Sequence, residues 1–344
     1  MKKYLFLTSL CLTALLATAK NWGGKVDNYK FEMRKNVEQT FNVTPNPILD
    51  IEGTYSDIIV TTWDKQQIDF NVKIEVKGND NKQVEARLNS INIEIIQTGN
   101  IIKAKTLFEN YPYKKFNGYM SIKYYMKVPK DVFMELDTKY GDIMVDTVYK
   151  KFEVDIKYGK LTAGNLMDYS SIDVKYGNIN INYAKNIDLE LAYSDCKINK
   201  VDNIEGELRY SNLVATEIGQ GTLEHQYCDV KIEKIDHLRT KNQYSDMKIT
   251  NVARFLYAKI QYSDLKTSCD GLCPEIEIEG QYSDVNLTIN EKASFKYDFK
   301  TVYGDIKSSV LFNVKNNEAH GTYGNDNQGN IKISLQYGDI RINK

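Results

Sequence analysis

The feature that most limits how this chain can fold is a short phrase it repeats. QYCDVKI (226–232), QYSDMKI (243–249), QYSDLKT (261–267) and QYSDVNL (281–287) follow one another, with AYSDCKI (192–198) before them and VYGDIKS (302–308) after. The unit is Tyr, then Ser, Gly or Cys, then in most copies Asp or Asn. Its tyrosines are Tyr140, Tyr158, Tyr176, Tyr193, Tyr210, Tyr227, Tyr244, Tyr262, Tyr282, Tyr303, Tyr323 and Tyr337. Successive steps are 18, 18, 17, 17, 17, 17, 18, 20, 21, 20 and 14 residues. An outlying copy, TYSDIIV, begins at Thr54, and Tyr169 in DYSSIDV lies off the period.

This period excludes helical repeats, which run at about 33 residues or more. The segments alternate with period two, as in VDIKY (154–158), IDVKY (172–176) and LELAY (189–193). Apolar residues stand four and two before Tyr, and Tyr continues that series. Beyond it they resume three and five residues on, as with Cys196 and Ile198, Val230 and Ile232, or Met247 and Ile249. One parity step is lost at the small residue, so a chain that keeps its apolar face inward turns a corner there. Each period therefore predicts a strand, a tight corner, a second strand and a return loop. So short a unit cannot close a core alone. It can make one coil of an all-β, single-chain parallel β-solenoid (β-helix), each coil pairing with the next about 4.8 Å away. The expected coils are about 17–21 residues long.

Stacking explains why the phrase recurs. Position n of one coil sits on position n of the next. The expectation is Tyr at an inner corner, ring on ring, each pair worth about 0.5–1.5 kcal/mol beyond burial. The small residue, Gly above all, would supply a positive φ, and Asp or Asn would bond the turn backbone. Asp195, Asp229, Asp246, Asp264, Asp284 and Asp305 then form a column. Unit charges 4.8 Å apart repel by about 0.9 kcal/mol even in water. Lys231, Lys248, Lys266 and Lys307, two residues on, are placed to offset this, with Asn286 following Asp284. A bound Ca²⁺ is the alternative offset, but the Gly-rich nonapeptide of calcium β-rolls is absent. No cofactor or metal is expected.

The chain has 344 residues, with 45 Lys+Arg against 46 Asp+Glu. A net charge of -1 argues against nucleic acid as partner. The 25 Tyr and only 5 Pro are a β-leaning composition. Two lysines, an apolar run and Ala17-Thr18-Ala19 give residues 1–19 the layout of a secretory signal peptide. The run is too short to span a bilayer comfortably, and no transmembrane segment is expected in the mature chain. Export to the periplasm, the outer-membrane surface or the exterior follows. Cys269 and Cys273, in CDGLC, are spaced for a local disulfide in such a compartment. Zinc would need further ligands, and none is nearby. Cys196 and Cys228 read as small buried or rim residues.

Residues 20–130 form a less regular β-rich region, with a first coil near 51–76 and a short helix near 80–91, where Val84, Leu88 and Ile91 have helical spacing. The loop ENYPYKK (109–115) is an aromatic and basic excursion. The repeat solenoid occupies 131–344.

Phe41-Asn42-Val43, the YSDIIVTTWD segment, a short helix, MKVP (126–129), ELDTKYGDIMV, serial GDI and SDI coils and the closing GNIKISLQYGDIRINK together resemble the bacterial family known as putative adhesins. The resemblance covers nearly the whole mature chain. It implies an exported β-solenoid of the kind common in Bacteroidetes, and it supplies no catalytic residues. Many members carry Gly at the small position, where this chain often has Ser.

The function expected is a non-catalytic envelope or surface protein presenting a rigid repetitive face to a glycan or an envelope protein. The alternatives are a carbohydrate-active β-helix enzyme, a lyase or hydrolase, and a purely structural or signalling envelope role. Against an enzyme, the chain has three histidines and no HExxH, GxSxG or GKS/GKT motif. His225, two before Tyr227, reads as a satisfied core histidine.

Overall fold

The computed structural model describes residues 29–269, 274–290, 292–310, 312–324 and 329–344. The signal-like segment and Cys273 lie outside the described residues. Among them every strand joins one sheet, and the expected β-solenoid forms. From Asn178–Ala192 through Asp195–Arg209, Asn212–Gln226, Asp229–Gln243 and Asp246–Gln261, coils pair in parallel at matching positions, Cys196 facing Leu213 and Leu213 facing Val230.

One coil shows how a 17-residue period keeps its apolar face inward. In Asn212–Gln226 the inward positions are Leu213, Ala215, Ile218, Gly221, Leu223 and His225, and Cys228 opens the next coil. The step is two along each arm. It becomes three between Ala215 and Ile218, between Ile218 and Gly221, and across Tyr227. Three odd steps make an odd period, so there are three bends where the sequence pattern shows one. The expected return loop is strand instead, because in-register neighbours bend together and resume pairing on either side of each bend. The core is a stack of such rings of aliphatic side chains, each contributing about 1.5–3 kcal/mol on burial.

The first coil is Ile48–Thr54 and Ser56–Trp63, turning at Tyr55. It lies directly on Phe133–Lys139 and Ile143–Val148. The sheet thus runs unbroken across residue 131. The outer edge of this coil is covered by Ile101–Phe108 and Gly118–Pro129. These continue into antiparallel pairs with Ile91–Thr98, Gln67–Gly78 and Phe31–Asn42. Covering the edge removes a template for unwanted pairing. The helix spans Asn81–Asn89 and buries Val84 and Leu88; its cap Asp80 accepts the Gln83 N–H at 3.1 Å. The 109–115 loop folds back on this helix, with the Arg87 guanidinium 5.4 Å from the Tyr111 ring.

The far end departs from sequence order. Asn330–Gln336 pairs with Glu275–Gln281 on one side and with Phe295–Val302 on the other. Ile340–Asn343 likewise lies between Val285–Ile289 and Ile306–Ser308. The last segment of chain is therefore the penultimate coil. Glu318–Tyr323 lies antiparallel on Phe295–Val302 as a lid.

Candidate functional site

The corner comes first, because it carries the repeated residues. Twelve tyrosines have φ between 50° and 61°: Tyr55, Tyr140, Tyr158, Tyr176, Tyr193, Tyr210, Tyr227, Tyr244, Tyr262, Tyr282, Tyr303 and Tyr337. The positive φ belongs to Tyr, and Gly141, Gly159, Gly177, Gly304 and Gly338 do without it. The left-handed turn swings the Tyr side chain outward and sends the next residue inward. Tyr is half exposed, while Ser194, Ser211, Ser245, Ser263 and Ser283 are buried. This corrects the inner-corner expectation: the parity step is lost at Tyr. Glycine answers a different need, since a Cβ on Gly159 would lie 1.9 Å from the Gly141 carbonyl oxygen.

Successive rings stack at 4.7–5.0 Å with interplanar angles of 0–12°. The column runs from Tyr55 to Tyr282, then to Tyr337, and ends on Tyr303. Tyr323 is not in it. It sits on the antiparallel lid against Phe295 and Phe312, because the 318–323 segment leaves the coil path. Tyr337 is interior to the column for the same topological reason.

Below the rings runs a ladder of small polar groups. The Ser245 hydroxyl donates to Gln243 O at 2.9 Å and accepts from the Cys228 N–H at 2.9 Å. The Ser245 N–H in turn donates to Ser263 Oγ. Cys228 reproduces the pattern with sulfur, donating to Gln226 O and accepting from the Ser211 N–H. Tyr N–H groups continue the backbone ladder, as from Tyr244 to Gln261 O at 3.0 Å. Beside the rings, Gln226 donates its amide to Gln243, and Gln281 to Gln336.

The aspartates form a third ladder. The N–H groups of Asp264, Asp284, Asp339 and Asp305 donate to the carboxylates of Asp246, Asp264, Asp284 and Asp339 at 2.9–3.2 Å. The Asn212 amide donates to Asp195, and the Asp229 N–H to Asn212. Asp339 belongs here, between Asp284 and Asp305, and Asp57 and Asp142 stand at the other end. Lys307 bonds Asp339 at 2.8 Å and Arg341 bonds Asp284 at 3.1 Å. Hydrogen bonding from Lys307 and from the Asp305 backbone holds the Asp339 carboxyl below the usual range. At mid-rod the direct partners are backbone N–H groups, while Lys231, Lys248 and Lys266 stand alongside. Among the described residues no group of three or more His, Cys, Asp or Glu is placed to hold a metal ion. Cys269 is buried; its expected partner Cys273 is outside the described residues.

These ladders consume the repeated polar groups. A different column remains at the bend between Ile218 and Gly221. Tyr169 pairs with Asn186, then Asn203, Gln220, His237 and Phe255 follow in register. Tyr169 is thus the first member of its own series. A second row, two residues on, includes Asp188, Glu205, Thr222 and Arg239. Together they line an open cleft of about 560 Å³. Asn203 donates to Asn186 at 2.8 Å, Tyr169 OH reaches Asp188 at 3.5 Å, and Arg239 lies 5.0 Å from the Phe255 ring. Sequence pattern passes over this column because its members differ in type; only their 17- or 18-residue spacing marks them. A second cleft, of about 620 Å³, lies over Gly280 and is rimmed by Lys241, Lys259 and Lys300. Lys241 and Lys300 are paired with Glu224 and Glu318.

His225 is buried, yet neither ring nitrogen has a hydrogen-bond partner. It is a core histidine left unsatisfied. Burial pushes its pKa down to about 4, against a smaller opposing influence from the neighbouring Asn242 amide.

The profile of the family described as Toastrack DUF4097 matches residues 49–343. No curated protein matches. Two solved structures from Parabacteroides distasonis ATCC 8503 are similar, each over 90% of this chain and 97% of its own. One, named a putative adhesin, is 9% identical with a TM-score of 0.39. The other, named a putative lipid binding protein, is 11% identical at 0.34. A putative adhesin from Parabacteroides merdae ATCC 43184 is 11% identical at 0.30, with the same coverage. The family match, which spans most of the chain, is the finding that establishes kinship.

Proposed function

This chain belongs to the Toastrack DUF4097 family, and from that premise we propose that it is an exported, non-catalytic cell-envelope protein that presents the side of a rigid rod to a glycan or a protein partner. The observation that carries the reading is the fate of the polar groups. Repeated Ser, Asp and Gln side chains bond the neighbouring coil, whereas a catalytic site is one asymmetric constellation of unlike groups. Of the three histidines, His225 is buried in the core and His237 leans on Asp236 at 3.2 Å. Among the described residues no helix is long and apolar enough to cross a membrane, and the first 19 residues carry the signal-like layout.

One observation favours the enzyme reading enough to be tested. Asp188 and Glu205 face each other on adjacent coils of the cleft, and glycosidases use paired carboxylates. The mature chain should be applied to arrays of immobilised glycans and envelope proteins, with reducing ends assayed in parallel. Retention without release supports the binding reading. Release that Glu205→Gln abolishes overturns it. Fractionation with surface proteolysis assigns the compartment, and recovery in the cytosol would contradict export.

A further inference from the structure

The Tyr column is the conspicuous aromatic feature, but it is a poor platform for a ligand. Each interior ring has both faces covered by its neighbours at 4.7–5.0 Å, so only ring edges and hydroxyls look outward. A sugar that stacks on aromatic faces finds none along the interior of the column. The cleft at the Ile218–Gly221 bend is different in kind. Tyr169, 41% exposed, carries no stacked ring among the described residues and is steadied by Asp188. Phe255 stands at the other end with the Arg239 guanidinium beside it. Between them the side chains of Gln220, Thr222 and Glu205 make no hydrogen bond or ion pair with any described residue.

We infer that this cleft is a subsite for a neutral, extended β-linked hexose chain lying along the rod axis; the inference rests on the surface-binding reading above and names its site and ligand class. Three properties of the cleft converge on that ligand. The column offers amide, hydroxyl, carboxylate and guanidinium groups in turn, and hydroxyl-rich rings can both donate to and accept from such groups. The groups recur at each coil, about 4.8 Å apart, close to the advance per residue of an extended β-linked hexose chain. The five intervals from Tyr169 to Phe255 span about 24 Å at that spacing, enough for several residues. The charged groups are two carboxylates, Asp188 and Glu205, toward one end and a single guanidinium, Arg239, toward the other, an excess of negative charge that repels an anionic chain and leaves a neutral one unaffected. An extended peptide is the competing occupant. It would bind by adding a strand to an open sheet edge, and here each coil is flanked on both sides by a paired coil, which leaves no open edge.

The test uses the mature chain with cellohexaose as probe, maltohexaose as a coiled comparator and an alanine-rich hexapeptide as control. Binding is read by calorimetry and by the imidazole NMR signals of the three histidines. Cellohexaose should shift the His237 signals and leave those of His225 and His320 in place. Thr222→Trp, which fills the cleft from an exposed position, and Gln220→Ala should each weaken binding about tenfold or more, equivalent to at least about 1.4 kcal/mol. Gln243→Ala, in the ladder beside the tyrosines, should leave binding unchanged. Cellohexaose binding that Gln243→Ala weakens and Thr222→Trp does not would overturn the cleft while sparing the surface-binding reading. His237 shifts with the peptide and not the sugar would overturn the ligand class. No response to any probe overturns the inference, and retention on the arrays then decides the surface-binding reading independently.

Discussion

Twelve tyrosines hold a left-handed backbone conformation that costs an L-residue about 1–2 kcal/mol. A stacked pair returns about 0.5–1.5 kcal/mol beyond burial, so an interior ring with two neighbours roughly offsets its own strain. Tyr244→Ala should then lower stability by about 1–3 kcal/mol, the worth of two stacked faces. Tyr303→Ala, at the column's end where the ring is 71% exposed, should lower it by about half as much. Tyr244→Gly should be milder than Tyr244→Ala by about 1 kcal/mol, because Gly accepts positive φ without strain. Urea midpoints decide this, and a glycine variant weaker than the alanine variant would contradict the left-handed corner. His225 gives a pH dependence of known sign. Its folded pKa of about 4 lies below the 6.5 of a free imidazole, so the unfolded chain takes up the proton first. Stability is full above about pH 6.5, falls as pH drops, and has lost about 3 kcal/mol near pH 4. His225→Leu, matching its register neighbour Leu208, should remove that slope; midpoints at pH 7.5 and 5 would converge. The position of Tyr in the phrase was legible in the sequence, but its direction was not. Alternation carries parity, and a left-handed residue reverses parity without any change in residue type.

At the scale of elements, the coil, its length and the helix at 81–89 follow from spacing alone. The order of stacking does not. Every coil offers its neighbour the same edge, so a local pattern states where a residue sits within a coil and is silent on which coil lies next. That is why the 330–343 segment, last in sequence, lies between two earlier coils, and why Tyr323, which keeps the motif's spacing, falls on the antiparallel lid. The consequence is measurable. Ile333 belongs to the last segment of the chain and yet is fully buried, paired with Ile278 on one side and Phe299 on the other. Ile333→Ala should cost about 2–5 kcal/mol, as for any buried aliphatic, and should match Ile249→Ala at mid-rod. A silent Ile333→Ala would mean that the terminal coil does not insert.

The whole molecule divides its labour between periodic and aperiodic residues. Tyr, Ser, Asp and Gln columns hold each coil to the next, while the mixed cleft at the Ile218–Gly221 bend keeps Gln220, Thr222 and Glu205 without a side-chain partner among the described residues. If the periodic columns are the scaffold, stability is a sum of coil and nearest-neighbour contributions, and coils can be removed in register. Deleting residues 228–262 joins Tyr227 to Ser263 and restores the phrase as QYSDLKT. It also takes His237, Arg239 and Phe255 out of the cleft, so cellohexaose affinity should fall while the rod persists. The decisive measurement is small-angle X-ray scattering of this deletion beside the full mature chain. The account predicts a folded, monodisperse rod shorter by two coil spacings, about 10 Å. An unfolded or aggregated chain, or a particle of unchanged length, would contradict it.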